Sequence, residues 1–307
     1  MIGTFILEGS LSLTEIYVKS SLLTLYDLHS HTTASDGQLS PADLVARAVA
    51  MGVDVLAVTD HDTVAGLAGA RQAIDDGALP LTLVAGVEVS TQWQNHEIHI
   101  VGLGIDDAHP AMDGLLRAQR ERRLARAHAI AERLERAGIH DAWLGASRLA
   151  QDELVTRGHF ARYLVSIGAA DNVTKVFKKY LSKGKTGYVP PQWCTIEEAV
   201  GAIHQAGGQA VLAHPGRYQL STKWLKRLLD HVTDAGGDGI EVAMCQQSPQ
   251  EKTALAGYAR ERGLLASQGS DFHQPCAWIE LGRKLWLPGG VEPIWRDWPV
   301  GRSAGRR

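Results

Sequence analysis

Six histidines of this chain fall at or near the ends of apolar, β-type runs. They lie in Asp27-Leu28-His29-Ser30-His31, Thr59-Asp60-His61-Asp62, Ile98-His99-Ile100, Ala213-His214-Pro215 and Ser270-Asp271-Phe272-His273. Asp36 and Glu88 sit in similar settings. Imidazoles and carboxylates delivered from several strand ends suit a site for more than one metal ion. Imidazole binds zinc, manganese and iron, and a carboxylate can bridge two ions. In His29-Ser30-His31 the two rings are two residues apart on an extended chain, so both point the same way and can reach one ion. Alone, such a pair is weak; five such pieces in one chain, with Asp36 and Glu88, argue for a metal-dependent hydrolase.

The elements that must carry these groups alternate. From Leu25 a short strand ends in the first histidine pair. Ser40-Pro41 opens a helix, with an N-cap followed by proline at N1. Val55–Val58 is apolar throughout and ends at Thr59-Asp60-His61. A helix follows over 64–76, then a strand toward Gly86-Val87-Glu88, then a strand over 97–103. Pro110 to Ala137 reads as one long helix with an apolar stripe of Leu124, Ala127, Ala131 and Leu134. Residues 139–190 show further helices and no buried strand. The βα rhythm resumes after 192 with helices over 196–206, 222–235 and 250–262, and strands over 210–213, 239–242 and 264–267. The division is therefore an extension (1–24), a first barrel part (25–105), a helical insertion (106–192), a second barrel part (193–290) and a tail (291–307). Repeated βα units imply parallel strands. Apart from Asp36, every candidate ligand is expected at or just past a strand's C-terminal end, the face that carries chemistry in a barrel. Ligands from at least five strands favour closure over an open doubly wound sheet.

Composition narrows the class. The chain has 307 residues, 45% hydrophobic and 21% charged, with a net charge of −3, so any nucleic-acid contact must come from local basic patches. The three cysteines, Cys194, Cys245 and Cys276, form no C-x-x-C pair, which fits a reducing cytoplasm. No long apolar run predicts a membrane span, and residues 1–24 lack the marks of a secretory signal.

Taken with Ser35-Asp36-Gly37 and Gly86-Val87-Glu88, these pieces resemble the polymerase and histidinol phosphatase (PHP) family across all four of its motifs, over Asp27 to His273. The resemblance implies a distorted (β/α)7 barrel, an α/β fold, with three divalent ions, manganese foremost and iron or zinc as alternatives. It implies that His29, His31, Glu88 and Asp271 hold one ion. Glu88 would bridge to a second, held also by His99 and His214, and Asp36, His61 and His273 would hold a third. Water made nucleophilic by the bridging ions would attack phosphorus in line, with no protein nucleophile. Glu88 and Asp271 thus count as catalytic, and Asp62 or His159 is a candidate proton donor. Asp27, Asp60 and Asp62 are expected to orient imidazoles. The remaining histidines, His96, His109, His128, His140, His204 and His231, are expected in solvent.

The insertion bears on substrate. Arg157-Gly158-His159-Phe160-Ala161-Arg162 puts two arginines and a histidine in a turn or two of helix. Lysines including Lys179 and Lys185 follow, interleaved with Tyr180 and Tyr188, and Arg217 follows ligand His214 by three residues. Cations among aromatics suit phosphates and stacked bases. His159, Arg162, Lys179, Lys185, Tyr188 and Arg217 are the candidate substrate contacts. The arginines of the long helix, Arg117 to Arg136, read mainly as a solvated face balanced by Glu121, Glu132 and Glu135. Gly158-His159-Phe160-Ala161-Arg162, Val176-Phe177-Lys178-Lys179-Tyr180-Leu181 and Ala213-His214-Pro215-Gly216-Arg217-Tyr218 resemble one PHP subfamily. That resemblance implies removal of the 3′-phosphate from nucleoside 3′,5′-bisphosphates and 5′-to-3′ trimming of short 5′-phosphorylated RNA or DNA. No membrane association is expected, and no obligate protein partner is evident in the sequence. A histidinol-phosphate type phosphatase and a non-catalytic PHP module are the alternatives.

Overall fold

The computed structural model describes residues 24–150 and 155–298. The readings of residues 1–23 and of the 301–307 tail lie outside the described residues. Among the described residues seven strands form one sheet in sequential order: β1 (Tyr26–Asp27), β2 (Val55–Val58), β3 (Thr82–Trp93), β4 (His96–Leu103), β5 (Gln209–Leu212), β6 (Gly239–Ala243) and β7 (Leu265–Gln268). Helices α1 (Pro41–Ala50) and α2 (Ala65–Gly77) follow β1 and β2. The sheet curls until its edges nearly meet. Leu28 N donates to Gln268 O at 3.1 Å, Asp271 N to His29 O at 2.8 Å, and His31 N to Phe272 O at 2.9 Å. Those bonds stitch β7 back to β1 at the level of the ligands.

The expectation of uniformly parallel strands is corrected at one place. β4 runs antiparallel to both β3 and β5, whereas the other pairs are parallel. Only Gln94 and Asn95 separate β3 from β4, too few residues for a crossover, so a hairpin is the only connection available. Gln94 takes φ 52°, the left-handed conformation such tight turns demand.

The lower barrel is filled by Leu28, Val55, Ala57, Val101, Leu103, Val211 and Ala213. Ile294, 1% exposed, joins them, and Trp295 stacks on Tyr26 at 4.2 Å. Residues 291–298 were assigned to the tail; they instead pack under the barrel, because an isoleucine and aromatic rings there gain by leaving water. Outside the barrel lie α7 (Ile196–Gln205), α8 (Thr222–Asp234) and α9 (Pro249–Arg262). Thr195 and Ser248 each close a capping box at the start of α7 and α9.

The insertion has its own core. Helix α3 (Pro110–Arg136) is followed by α4 (Ala142–Leu149), α5 (Arg157–Ser166), α6 (Val173–Val176) and a π-helical turn, Phe177–Leu181. Ala127, Ile130, Ala131, Leu134, Phe160, Leu164 and Val176 pack together. Gly145 permits the close approach of α4 to α5: a Cβ there would come within 2.1 Å of the Tyr163 ring. Two readings of α3 fail. Leu124, placed in the apolar stripe, is 49% exposed, and Arg123 and Arg126, placed on the solvated face, are buried.

Candidate metal centre

Nine side chains converge on the barrel mouth. His29 and His31 lie just past β1, His61 past β2, His214 past β5, and Asp271 and His273 past β7. Asp36 comes from the loop after β1. Glu88 and His99 lie mid-strand rather than at strand ends, because the β3–β4 hairpin runs on past the mouth. Its register sets His99 opposite Ser90, so Glu88 and His99 share the inward face. His214 (φ 31°) and Asp271 (φ 53°) hold left-handed backbone conformations that turn their side chains inward.

Glu88 is the hub. It is fully buried, and five imidazoles face its carboxylate. His61 Nδ1, His29 Nε2 and His31 Nε2 lie 2.9, 3.3 and 3.3 Å from Oε2, while His99 Nδ1 and His214 Nε2 each lie 2.8 Å from Oε1. Asp271 Oδ1 is 3.0 Å from His31 Nε2 and 3.4 Å from His29 Nε2. Asp36 Oδ1 is 3.2 Å from His273 Nε2. The donors fall into three overlapping groups: His29, His31, Glu88 and Asp271; His61, Glu88 and His99; and His31, Asp36, His61 and His273.

The donor set fits metal on two grounds. Buried polar atoms are almost always hydrogen-bonded. Yet among the described residues His29 Nε2, His31 Nδ1, Asp36 Oδ1, His61 Nδ1, Glu88 Oε2 and His214 Nδ1 are buried without a hydrogen-bond partner. The charge balance agrees. Burial alone would raise Glu88, but His61, His29 and His99 hold it well below the usual carboxylate range. Burial likewise opposes the charge on Asp271, and Arg217 and His29 override it. His31 is pushed down to about 3 by burial and the neighbouring His273, so its imidazole is neutral and free to ligate.

The supporting contacts differ from expectation. Asp27 accepts from Ser270 N at 2.8 Å and Gly282 N at 2.9 Å, and Asp60 accepts from Thr32 and Ser35. Both hold loops; neither touches an imidazole. Asp62 is bound by Arg123, Gln119 and Ser90 N, so it is engaged as a brace and not as a proton donor. The carboxylate that orients an imidazole is Glu241, which accepts a hydrogen bond from His29 Nδ1 at 2.7 Å and another from His214 N. Sequence reasoning missed it. Its one signal was a lone acid inside the apolar strand Gly239-Ile240-Glu241-Val242-Ala243.

Beside the donors opens a cleft of about 200 Å³ shared with Asp36, His61 and His99. Its other wall comes from the insertion together with Glu97 of β4 and Trp193. Glu97 accepts from Arg157 Nη2 at 2.8 Å, Trp193 Nε1 at 2.8 Å and Arg126 Nη1 at 3.3 Å. Arg123 and Arg126 lie 4.9 and 5.1 Å over the Trp193 ring. Among the described residues Arg126 Nη2 is buried with no hydrogen-bond partner. Arg126, Arg157, Trp193 and Phe177 were not among the expected substrate contacts, although Arg157 stood in a motif noted for its cations.

The expected contacts divide. Arg162 Nη1 donates to Asp36 O at 3.0 Å, and Arg217 Nη1 bonds Asp271 Oδ2, so both sit at the donor cluster. His159 is buried, and its Nδ1 accepts from Thr156 N at 3.0 Å in a capping box. Burial and Arg162 push it down to about 4, so near neutral pH it is uncharged and has no acidic proton to give. Lys179 turns to Ala169 O, Lys185 is exposed, and Tyr188 offers its carbonyl to Arg133. None of these three lines the cleft; the π-helical turn places Phe177 in its lining and leaves Lys179 exposed. Of the histidines expected in solvent, His128 stacks on Trp143 at 3.9 Å and His109 caps α3.

Residues 27–189 match the PHP domain. The chain belongs to the PHP domain family. It is 65% identical over 274 residues to the 5′-3′ exoribonuclease Rnm of Salmonella typhimurium, covering 89% of this chain and 94% of the relative. It is 46% identical over 273 residues to the 3′,5′-nucleoside bisphosphate phosphatase of Chromobacterium violaceum, covering 88% and 95%. The solved structure of an amidohydrolase from Chromobacterium violaceum, with bound sulfate and no metal, superposes with a TM-score of 0.83 at 45% identity over 89% of this chain and 95% of that one. A structure assigned as a metal-dependent phosphoesterase, from Bifidobacterium adolescentis, gives 0.73 at 27% identity over 88% and 93%. Among the described residues of this PHP protein no helix is long and apolar enough to cross a membrane.

Proposed function

We propose that this chain is a metal-dependent phosphoesterase that breaks the P–O3′ bond of a nucleotide carrying a 5′-phosphate. With a nucleoside 3′,5′-bisphosphate the products are the 5′-monophosphate and phosphate. With 5′-phosphorylated RNA or DNA the same cut releases the first nucleotide and leaves a new 5′-phosphate, so trimming proceeds 5′ to 3′. One bond thus accounts for both names carried by the relatives, the exoribonuclease at 65% identity and the bisphosphate phosphatase at 46%. The carrying observation is that the nine-donor cluster and the Arg126–Arg157–Trp193 cleft are adjacent, sharing Asp36, His61 and His99.

His29, His31, Glu88 and Asp271 would hold one ion, Glu88, His99 and His214 a second, and Asp36, His61 and His273 a third. Divalent ions bound there, manganese foremost with iron or zinc as alternatives, lower the pKa of coordinated water and offset phosphoryl charge. The chain's own groups do the rest. Arg217, fixed on Asp271, and Arg162, fixed on the Asp36 carbonyl, aim cationic groups at the phosphoryl group being cut. Nδ1 of His159 is occupied as an acceptor, so Nε2 carries its proton and donates a neutral hydrogen bond. Arg126 and Arg157 take the 5′-phosphate, and Trp193 and Phe177 offer ring faces to the base. The insertion then excludes water over the substrate. Three unpaired cysteines support a cytoplasmic setting.

The test is phosphate release from adenosine 3′,5′-bisphosphate and from histidinol phosphate, with and without manganese, beside trimming of matched RNAs bearing a 5′-phosphate or a 5′-hydroxyl. Manganese-dependent turnover of the bisphosphate and of the 5′-phosphorylated RNA supports the proposal. Turnover of histidinol phosphate alone would replace it with a small-molecule phosphatase, and no turnover of any substrate with a non-catalytic module.

A further inference from the structure

One buried polar cluster joins the insertion to the metal donors through a carboxylate that does not line the cleft. Asp62 is 1% exposed and holds a left-handed backbone at φ 50°. Its neighbour His61 pairs with Glu88 as a parallel bridge, and Asp62 N donates to Glu88 O at 2.9 Å. Its carboxylate accepts from Ser90 N at 2.8 Å, from Gln119 Nε2 at 3.1 Å and from Arg123 Nε at 2.7 Å. Gln119 and Arg123 belong to α3. Arg123 Nη2 also reaches Ser90 Oγ at 2.6 Å, and Gln119 Oε1 accepts from Cys194 N at 3.1 Å, next to the cleft wall Trp193. A carboxylate this deep needs its cation, since an unpaired buried charge is costly. Taking α3 away would strand Asp62 one residue from a metal ligand.

We propose that Asp62 is a positioning residue through which Arg123 and Gln119 of the insertion fix the His61 and Glu88 side chains. The donor group of Asp36, His61 and His273, beside Glu88, is then complete only with α3 seated. The cleft and the metal centre thereby assemble as one unit, and an unseated insertion leaves a centre short of one well-held ion. This inference rests on the metal-site reading above.

The test compares the unaltered chain with Asp62→Asn, Arg123→Met, Arg123→Lys and, from the exposed side of α3, Arg120→Met. Asparagine tolerates φ above zero but turns a donor toward Arg123. Manganese binding to the metal-stripped protein is titrated, and kcat and KM for adenosine 3′,5′-bisphosphate are measured. Asp62→Asn and Arg123→Met should weaken one manganese equivalent by about 10- to 100-fold and lower kcat by a similar factor. Asp62→Asn should leave KM within about threefold, because Asp62 does not line the cleft. Arg123→Lys should restore part of the manganese affinity, and Arg120→Met should change neither quantity. If Asp62→Asn does not fold, the two Arg123 variants carry the same comparison. Full manganese affinity in Asp62→Asn and Arg123→Met, with melting temperature alone lowered, would overturn the inference and leave the metal reading standing. No manganese binding by the unaltered chain would overturn the metal reading itself.

Discussion

The barrel mouth and the insertion put polar groups to work in opposite ways. At the mouth, all the donors but Asp36 follow or lie within a strand, and local backbone geometry, including the left-handed turns at His214 and Asp271, aims them at the axis. In the insertion, one helix carries seven arginines between Arg117 and Arg136, and only their packing tells them apart. Arg123 and Arg126 are buried against Trp193 and the cleft; Arg117 and Arg136 pair with Asp113 and Glu132 four residues away and stay in water. A strand-end motif states its role locally, whereas an arginine on a long helix acquires a role from what packs on it.

That contrast can be broken most forcefully at Glu88. Glu88→Gln removes the charge that faces five imidazoles. Turnover should fall at least about 100-fold and bound manganese should drop, as activity and metal content will show. Full activity with full metal would mean that the mouth is not where the chemistry happens. Next come the two arginine settings. Arg157→Met should raise KM about 10-fold or more for 5′-phosphorylated RNA and little for the 5′-hydroxyl form, whereas Arg217→Ala should lower kcat for both alike. Identical profiles for the two variants would erase the distinction between cleft and mouth.

A smaller effect belongs to His159. Its folded value of about 4 lies below the ordinary 6.5, so the folded chain refuses a proton that the unfolded chain accepts. Above pH 6.5 both states are neutral and nothing is lost. As pH falls from 6.5 toward 4, stability should decline by up to about 1.4 kcal/mol per unit. Urea midpoints across that window should fall less in His159→Asn than in the unaltered chain; parallel slopes would place the proton elsewhere. Smallest of all, Lys185→Ala, at an exposed site, should leave KM within about twofold in the same RNA assay, and a 10-fold rise would return the lysine cluster to the substrate.

Much of the fold was legible because its periods are local. Val55–Val58 reads as a buried strand and is one, and Ser40-Pro41 caps a helix at the expected residue. The hairpin at Gln94 was overlooked because both its strands looked like members of a parallel series, and only the two-residue gap betrayed the reversal. Residues 291–298 looked like a tail because their value is realised only against the barrel floor. Glu241 stayed hidden because a single acid in an apolar strand carries no motif; its role exists only where His29 meets it.

The amino-acid order by itself settled which residue types stand at the strand ends, the succession of strands and helices, and the interruption by a helical segment. These depend on neighbours a few positions apart, through turn chemistry and side-chain period. Tertiary structure alone decided which arginines lose their water, which acid holds an imidazole and which atoms are left without partners. Those outcomes are fixed by the cost of burying charge, and that cost belongs to whatever surrounds a group in space, not to its place along the chain.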